Sequence, residues 1–166
     1  SSDLIALAHH TTYGLPVVVT RSSNNYGPFQ FPEKLIPLFV TNLLDGLTVP
    51  LYGDGSNVRD WIHVEDNCNA IESVLRVGQV GQIYNVGAGN EVANLELTKM
   101  LIELCGRDES AIVRVDDRPG HDFRYSINTS LLRGLGWKPE VDLFSGLEAT
   151  VHWYRDHETW WRPKKA

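Results

Sequence analysis

The sequence predicts an α/β protein, and three features carry that prediction. Short runs rich in β-branched residues alternate with segments whose apolar residues recur at helical spacing. Glycines punctuate the joins between them, at Gly14, Gly78 and Gly106. Residues suited to starting a helix, such as Asp142, stand immediately before apolar stripes.

Taken in order, Ser2 to Tyr13 reads as the end of a helix with Leu4, Leu7 and Ala8 on one face, closed by Gly14. Pro16 to Thr20 follows as a short strand fit for burial on both faces. From Ile36, apolar residues return at Phe39, Val40, Leu43 and Leu47, a helical stripe. Thr48–Tyr52 is a strand leading into the turn Gly53-Asp54-Gly55-Ser56, and Val58 to Val64 is extended. Glu65 or Asp66 opens a helix whose apolar face is Ala70, Ile71, Val74 and Leu75. Ile83–Val86 is a strand, Asn94 is expected to cap a helix carrying Leu97, Met100, Leu101 and Leu104, and Ile112–Val115 is a further strand. Asp142 caps the last helix, which packs through Leu147, Val151 and Tyr154. Such alternation implies some parallel pairing. Only Pro16–Thr20 has the look of a central parallel strand, and no partner for it is evident, so the chain reads as incomplete at its front.

Composition narrows the class of partner. The chain has 166 residues, 42% hydrophobic, with 15 Lys and Arg against 21 Asp and Glu for a net charge of −6. One domain, or slightly more, fits this length. The acidic balance excludes non-specific nucleic-acid binding, which needs clustered cations on phosphates; the one basic run, Arg162 to Lys165, reads as a solvated tail. No apolar run reaches the roughly 20 residues of a membrane span, and the first residues show no secretory pattern, so a cytoplasmic protein is expected. Cys68 and Cys105 lie apart without a CxxC and read as buried thiols in preference to a disulfide.

Four segments could carry chemistry. Arg21 to Pro28 directly follows a strand, where α/β sheets bind ligands; its adjacent Asn24 and Asn25 offer donors and acceptors, although Asn, Gly and Pro also make plain turns. Phe31 to Pro37 opens a helix, either an anion site helped by Lys34 or a solvated first turn. In Gly53 to Trp61, Arg59 is matched to phosphate oxygens and Asp60 could brace its fork, yet neighbouring Arg and Asp also form ordinary surface pairs. Asp116 to Tyr125 mixes charges with a Pro-Gly turn, as a loop closing over a polar ligand would. Asp117, His121 and Asp122 could ligate a metal, but Arg118 and Arg124 would pair those acids, and no metal is expected. His63 reads as a core histidine. There is no GxSxG, P-loop or HExxH, and no nucleophile–base pair is found, so no catalytic residue is assigned.

The stretches SNNYGPFQFPEKLIP, LYGDGSNVRDWIHVED, YNVGAGNEVANLEL and DRPGHDFRY resemble, in order and across nearly the whole chain, the dTDP-glucose 4,6-dehydratase family of extended short-chain dehydrogenase/reductases. The resemblance implies the carboxyl-terminal part of an extended Rossmann-type fold: residues 1–30 ending an NAD-binding domain and residues 31–166 forming the smaller nucleotide-sugar domain, with some segments packing back. It implies that Asn24 touches NAD and Asn25 the substrate. It places Lys34, Leu35, Ile36, Pro37, Leu38 and Phe39 along the diphosphate and nucleoside, and Pro50, Leu51 and Tyr52 against the thymine. Arg59 would hold the diphosphate, with Asn94, Asp117, Arg118, Pro119, Gly120 and His121 completing the pocket. The family's enzymes use a tightly bound, recycled NAD on a dTDP-sugar and are usually homodimers.

The family's glycine-rich loop, Tyr-x-x-x-Lys pair and acid–base Asp-Glu pair are not in this sequence, so this chain alone is expected to be inactive. NAD would be held mainly by the amino-terminal half that the family has upstream. Two other readings stay open: a UDP-sugar epimerase or decarboxylase relative, and a non-catalytic nucleotide-sugar binding or structural module. Self-association through an uncovered sheet edge is a further expectation.

Overall fold

The computed structural model describes residues 2–165. Helix α1 (Ser2–Tyr13) leads to strands β1 (Val19–Ser22) and β2 (Asn24–Tyr26), helix α2 (Leu35–Leu44), and strands β3 (Val49–Tyr52) and β4 (Val58–His63). Then come α3 (Val64–Val77), β5 (Ile83–Val86), β6 (Glu91–Ala93), α4 (Asn94–Leu104), β7 (Ile112–Val115) and β8 (Arg124–Tyr125). The chain ends with α5 (Ser130–Arg133), α6 (Leu143–Asp156) and α7 (Glu158–Trp161), and single 3-10 turns at Glu109–Ala111 and Arg162–Lys164.

Among the described residues three small sheets form. β1 pairs parallel with β5, Val19 opposite Ile83 through Ser22 opposite Val86. β3 pairs parallel with β7. β4 is shared by three neighbours: β6 runs antiparallel to Val58–Asp60, β8 parallel to Val58–Arg59, and β2 parallel to Trp61–His63. Residues 58 and 59 pair with both β6 and β8, so these two lie on opposite edges of β4.

Successive residues on a strand face opposite ways, and β4 thereby serves two cores. Trp61 packs into a larger cluster with Phe39, Val40, Leu97, Leu101, Leu147 and Tyr154, built between α2, α4 and α6. Ile62 packs into a smaller one with Ala70, Val74, Tyr84, Val86, Leu132 and Trp137. Asp66, buried at the start of α3, accepts N–H bonds from Glu140 and Val141 at 3.0 Å each and so holds the approach to α6 against α3. His63 is buried as expected and caps α3, accepting from the Glu65 N–H.

Several expectations are corrected. The first strand begins at Val19 rather than Pro16, because Val17 N–H is turned onto Leu15 O. Its partner exists and is β5, far along the chain. Asn24–Tyr26, which as a sequence looks like a turn, is a strand. Asn94 is the first residue of α4 rather than its cap; Ala93 stands at the cap, and Asn94 N–H bonds Asn57 O at 2.9 Å. Leu47 lies beyond α2 and is exposed. The stripe of α3 is narrower than its sequence suggests: Ala70 and Val74 are buried, while Ile71 and Leu75, one step round the helix, are exposed. No residue of α1 is buried. Cys68 is exposed and only Cys105 is partly covered, its thiol pushed up to about 11 by burial.

The carboxyl-terminal tail is tied down rather than merely solvated. Asp45, at the end of α2, takes Arg162 at 2.9 Å and Lys165 at 2.7 Å. Partial burial alone would raise this carboxyl, but the hydrogen bonds and charges of Lys165 and Arg162 outweigh it and hold it below the usual carboxylate range. A carboxyl lowered on folding stabilises the fold above its unfolded pKa of about 4 and loses that contribution as pH falls through the folded value. Acidification below about pH 4 should therefore free residues 162–165, seen as faster amide exchange there, and Asp45→Asn should abolish that transition. A core test is Gly146→Ala. A Cβ at Gly146 would collide with the Tyr26 hydroxyl and Val141, and overpacking of this kind costs about 1–3 kcal/mol in denaturant unfolding.

Candidate functional site

The site forms on the face of β4 that carries Arg59 and Trp61. A cavity of about 460 Å³ opens there, walled by Asn24, Glu33, Lys34, Leu35, Leu38, Phe39, Pro50, Leu51, Tyr52, Trp61, Asn94, Arg118 and His121 as well as Arg59. Alternation along β4 puts Arg59 and Trp61 on this side and Asp60 behind. Arg59 donates through Nη1 to Val58 O and through Nη2 to Asp122 O, both at 2.7 Å, leaving its remaining N–H groups for a ligand. Asp60 does not brace Arg59. It is buried and accepts the N–H groups of Gly89 and Asn90 at 2.9 Å each, pinning the Gly87–Asn90 turn to the sheet. Burial raises its pKa, and those two N–H bonds offset part of the rise.

Helical spacing sorts the residues of the α2 region. Lys34 stands at the cap in extended backbone and pairs with Glu33 at 2.8 Å, both side chains largely exposed. Leu35, Leu38 and Phe39 line the cavity, whereas Ile36 and Pro37 are buried on the side of α2 that does not line it. Strand β3 brings Pro50, Leu51 and Tyr52, and the turn after it must be tight. Gly55 has φ +79, and a Cβ there would come within 2.9 Å of Leu51 and Leu95 side chains.

The segment after β7 folds over Tyr52. Arg118 places its guanidinium 5.1 Å from the ring centroid, and His121 meets the ring edge-on at 6.3 Å. Asp117 Oδ1 bonds His121 Nδ1 at 2.7 Å and accepts the Arg118 N–H at 2.8 Å. The His121 bond, then the Arg118 N–H, hold the Asp117 carboxyl below its ordinary value. Pro119 and Gly120 make the turn between them, with His121 N–H on Arg118 O. A second cavity of about 370 Å³ lies beside the first at the carboxyl end of β1, shares Asn24 and Arg59, and adds Ser22, Ser23, Asp122 and Tyr125. Among the described residues no group of three His, Cys, Asp or Glu gathers as metal ligands, and no helix is long and apolar enough to cross a membrane.

Residues 1–150 match the model of the GDP-mannose 4,6 dehydratase family. The chain belongs to that family. Relatives named dTDP-glucose 4,6-dehydratase are 57% identical over 161 residues in Actinoplanes sp. and 53% over 167 in Streptomyces niveus, covering 96% and 100% of this chain and 50% of each relative. The chain thus spans about half the length of the curated relatives it matches. The solved dTDP-glucose 4,6-dehydratase DesIV of Streptomyces venezuelae, with NAD bound, superposes at TM-score 0.96 with 55% identity, over 99% of this chain and 51% of that one. The UDP-glucose 4-epimerase of Thermotoga maritima superposes at 0.88 with 30% identity, over 93% and 51%. The α/β class expected for this dehydratase-family chain agrees with these structures.

Most of the expected residues of this family member come together at the first cavity. Asn25 does not: its Nδ2 donates to Ser23 O at 3.1 Å and its own carbonyl accepts Gln30. Asp117, Pro119 and Gly120 shape the overlying segment without lining the cavity. Trp61 and Glu33 were not anticipated as wall residues; Trp61 was readable, two positions after Arg59 on one strand. Asp60→Ala should leave the Gly89 and Asn90 N–H groups without partners and cost about 1–3 kcal/mol in urea unfolding, with the exchange of those two amides rising most.

Proposed function

We propose that the chain carries the nucleotide-sugar binding part of a dTDP-glucose 4,6-dehydratase, an NAD-dependent lyase converting dTDP-glucose to dTDP-4-keto-6-deoxyglucose. The observation that carries this reading is the polarity of one cavity. Its apolar side, with Leu35, Leu38, Pro50 and Leu51 beside the aromatic face of Tyr52, suits a base and deoxyribose. The same lining carries the cations Lys34 and Arg59, with Arg118 over the Tyr52 ring, and these suit a diphosphate. In this assignment Arg59 holds the diphosphate with the N–H groups not spent on Val58 and Asp122, Asn94 adds an amide, and Asp117 braces His121 beside Tyr52. Asn25 reaches the substrate only by releasing its bond to Ser23 O.

NAD, when bound, would supply the acceptor and donor of hydride. The second cavity suits its carboxamide end, because Ser22, Ser23 and Asn24 offer hydroxyls and an amide at the carboxyl end of β1. The rest of the dinucleotide would lie against the glycine-rich loop that this sequence does not contain. This chain's residues therefore bind and orient, and the acid, base and Tyr-x-x-x-Lys functions are not among them. On this reading the protein works in the cytoplasm, and the chain alone turns over no dTDP-glucose even with NAD added.

Calorimetric titration of the chain with dTDP, against UDP, tests the proposal. dTDP is expected to bind more tightly, and Arg59→Ala to weaken dTDP by roughly 10- to 100-fold, the range for losing charge-assisted hydrogen bonds. Tighter UDP binding would favour the epimerase-like alternative, and turnover of dTDP-glucose would overturn the division of labour.

A further inference from the structure

The segment 116–123, which lays Arg118 and His121 over Tyr52, is held at both ends. At its start, β7 pairs with β3. At its finish stands β8, only two residues long, and pairing of that length is weak by itself. What reinforces it is an ion cluster on Glu91. Arg124 Nε donates to Glu91 Oε2 at 2.9 Å and Nη2 to Oε1 at 2.8 Å, a two-pronged contact, and Ser126 Oγ donates to Oε1 at 2.5 Å.

Register places this cluster on the far side of the sheet. Glu91 stands opposite Asp60 and Arg124 opposite Val58, so both share the face of β4 that Arg59 and Trp61 do not. From there Glu91 does not line the cavity, but it governs what does. Immediately before Arg124, Phe123 O accepts Val58 N–H at 2.8 Å, and Asp122 O accepts Arg59 Nη2 and Asn57 Nδ2. The same short stretch is thus clamped to Glu91 behind the sheet and to Arg59 in front. We propose that Glu91 is a positioning residue for the cavity: through Arg124 and Ser126 it fixes the segment that carries Arg118 and His121 over Tyr52. This deepens the dTDP reading and, for its affinity effect, rests on it.

The consequence is separable from stability. Arg124 is largely exposed and Glu91 partly so, and an ion pair of that kind adds little to the folding free energy. In the full chain, Glu91→Gln should leave the unfolding midpoint nearly unchanged, speed amide exchange across residues 117–123, and weaken dTDP by about fivefold or more, as expected for coupled neighbours. The charge swap Glu91→Arg with Arg124→Glu should restore most of the lost protection from exchange and most of the affinity. Unchanged exchange in Glu91→Gln would overturn the proposal, as would a loss of affinity that follows a fall in the midpoint or that the swap does not mend. If the unaltered chain binds no dTDP, the reading of the site fails, and the exchange comparison still decides whether Glu91 sets the segment.

Discussion

The alternation of side chains along β4 is the constraint on which the rest of the molecule depends. Because β4 is bonded along both edges, it cannot slip by one residue without breaking the β6, β8 and β2 ladders together. That register sends Arg59 and Trp61 to the cavity and Asp60 and Ile62 to the other side. A one-residue slip would bury the Arg59 guanidinium in the smaller core and present the Asp60 carboxylate to the cavity. The cost of burying an unpaired charge is what makes the alternative arrangement untenable. The buried Asp60 is tolerable because two backbone N–H groups meet it, and the same bonds tie the turn after β5 to β4.

The cavity inherits its polarity from this arrangement. Arg59 comes from the sheet, Lys34 from the cap of α2 and Arg118 from the segment after β7, so three cations from separate elements line one cavity. Each is restrained differently. Arg59 is held by two backbone carbonyls, Arg118 rests on an aromatic face, and Lys34 leans on a neighbouring carboxylate that is as exposed as itself. The exposed pair is screened and weak, so Lys34 is the cation most easily turned towards a ligand, whereas Arg59 is pre-oriented and loses little rotamer freedom on binding.

Much of this was readable from sequence where one element decides the outcome. The stripes of α4 and α6, the capping Asp142, the strands Ile83–Val86 and Ile112–Val115, and the cap-region lysine at α2 all follow from local spacing. The failures share one cause, which is that pairing partners are distant. Asn24–Tyr26 looks like a turn until Trp61–His63 arrives to bond it, and β1 looks solitary until Ile83–Val86 lies beside it. Asp60 looks like the partner of Arg59 because it is adjacent in sequence, and strand geometry makes adjacency the one relation that separates them. In the same way Ile36 and Pro37 sit among cavity residues in sequence but turn away from them on the helix.

The two cores differ in how far they can stand by themselves. The larger one is enclosed by α2, α4, α6 and the β3–β7 pair, and its tail is latched through Asp45. The smaller one rests on a two-stranded sheet with α3 and α5, while Leu4 and Ile5 of α1 and Leu75 and Val77 of α3 are all more than 60% exposed. Exposed apolar residues on helices together with a sheet only two strands wide are the arrangement that favours association with further protein surface. The cavity stands on the well-enclosed side of β4, and Leu35, Leu38, Phe39 and Trp61 of its wall are part of the larger core or pack against it. Through Arg59 and Asn24 it adjoins the second cavity, at the carboxyl end of β1, whose sheet backs the smaller core. The first cavity therefore draws on the better enclosed part of the molecule, and the second on the part whose packing is least complete in itself.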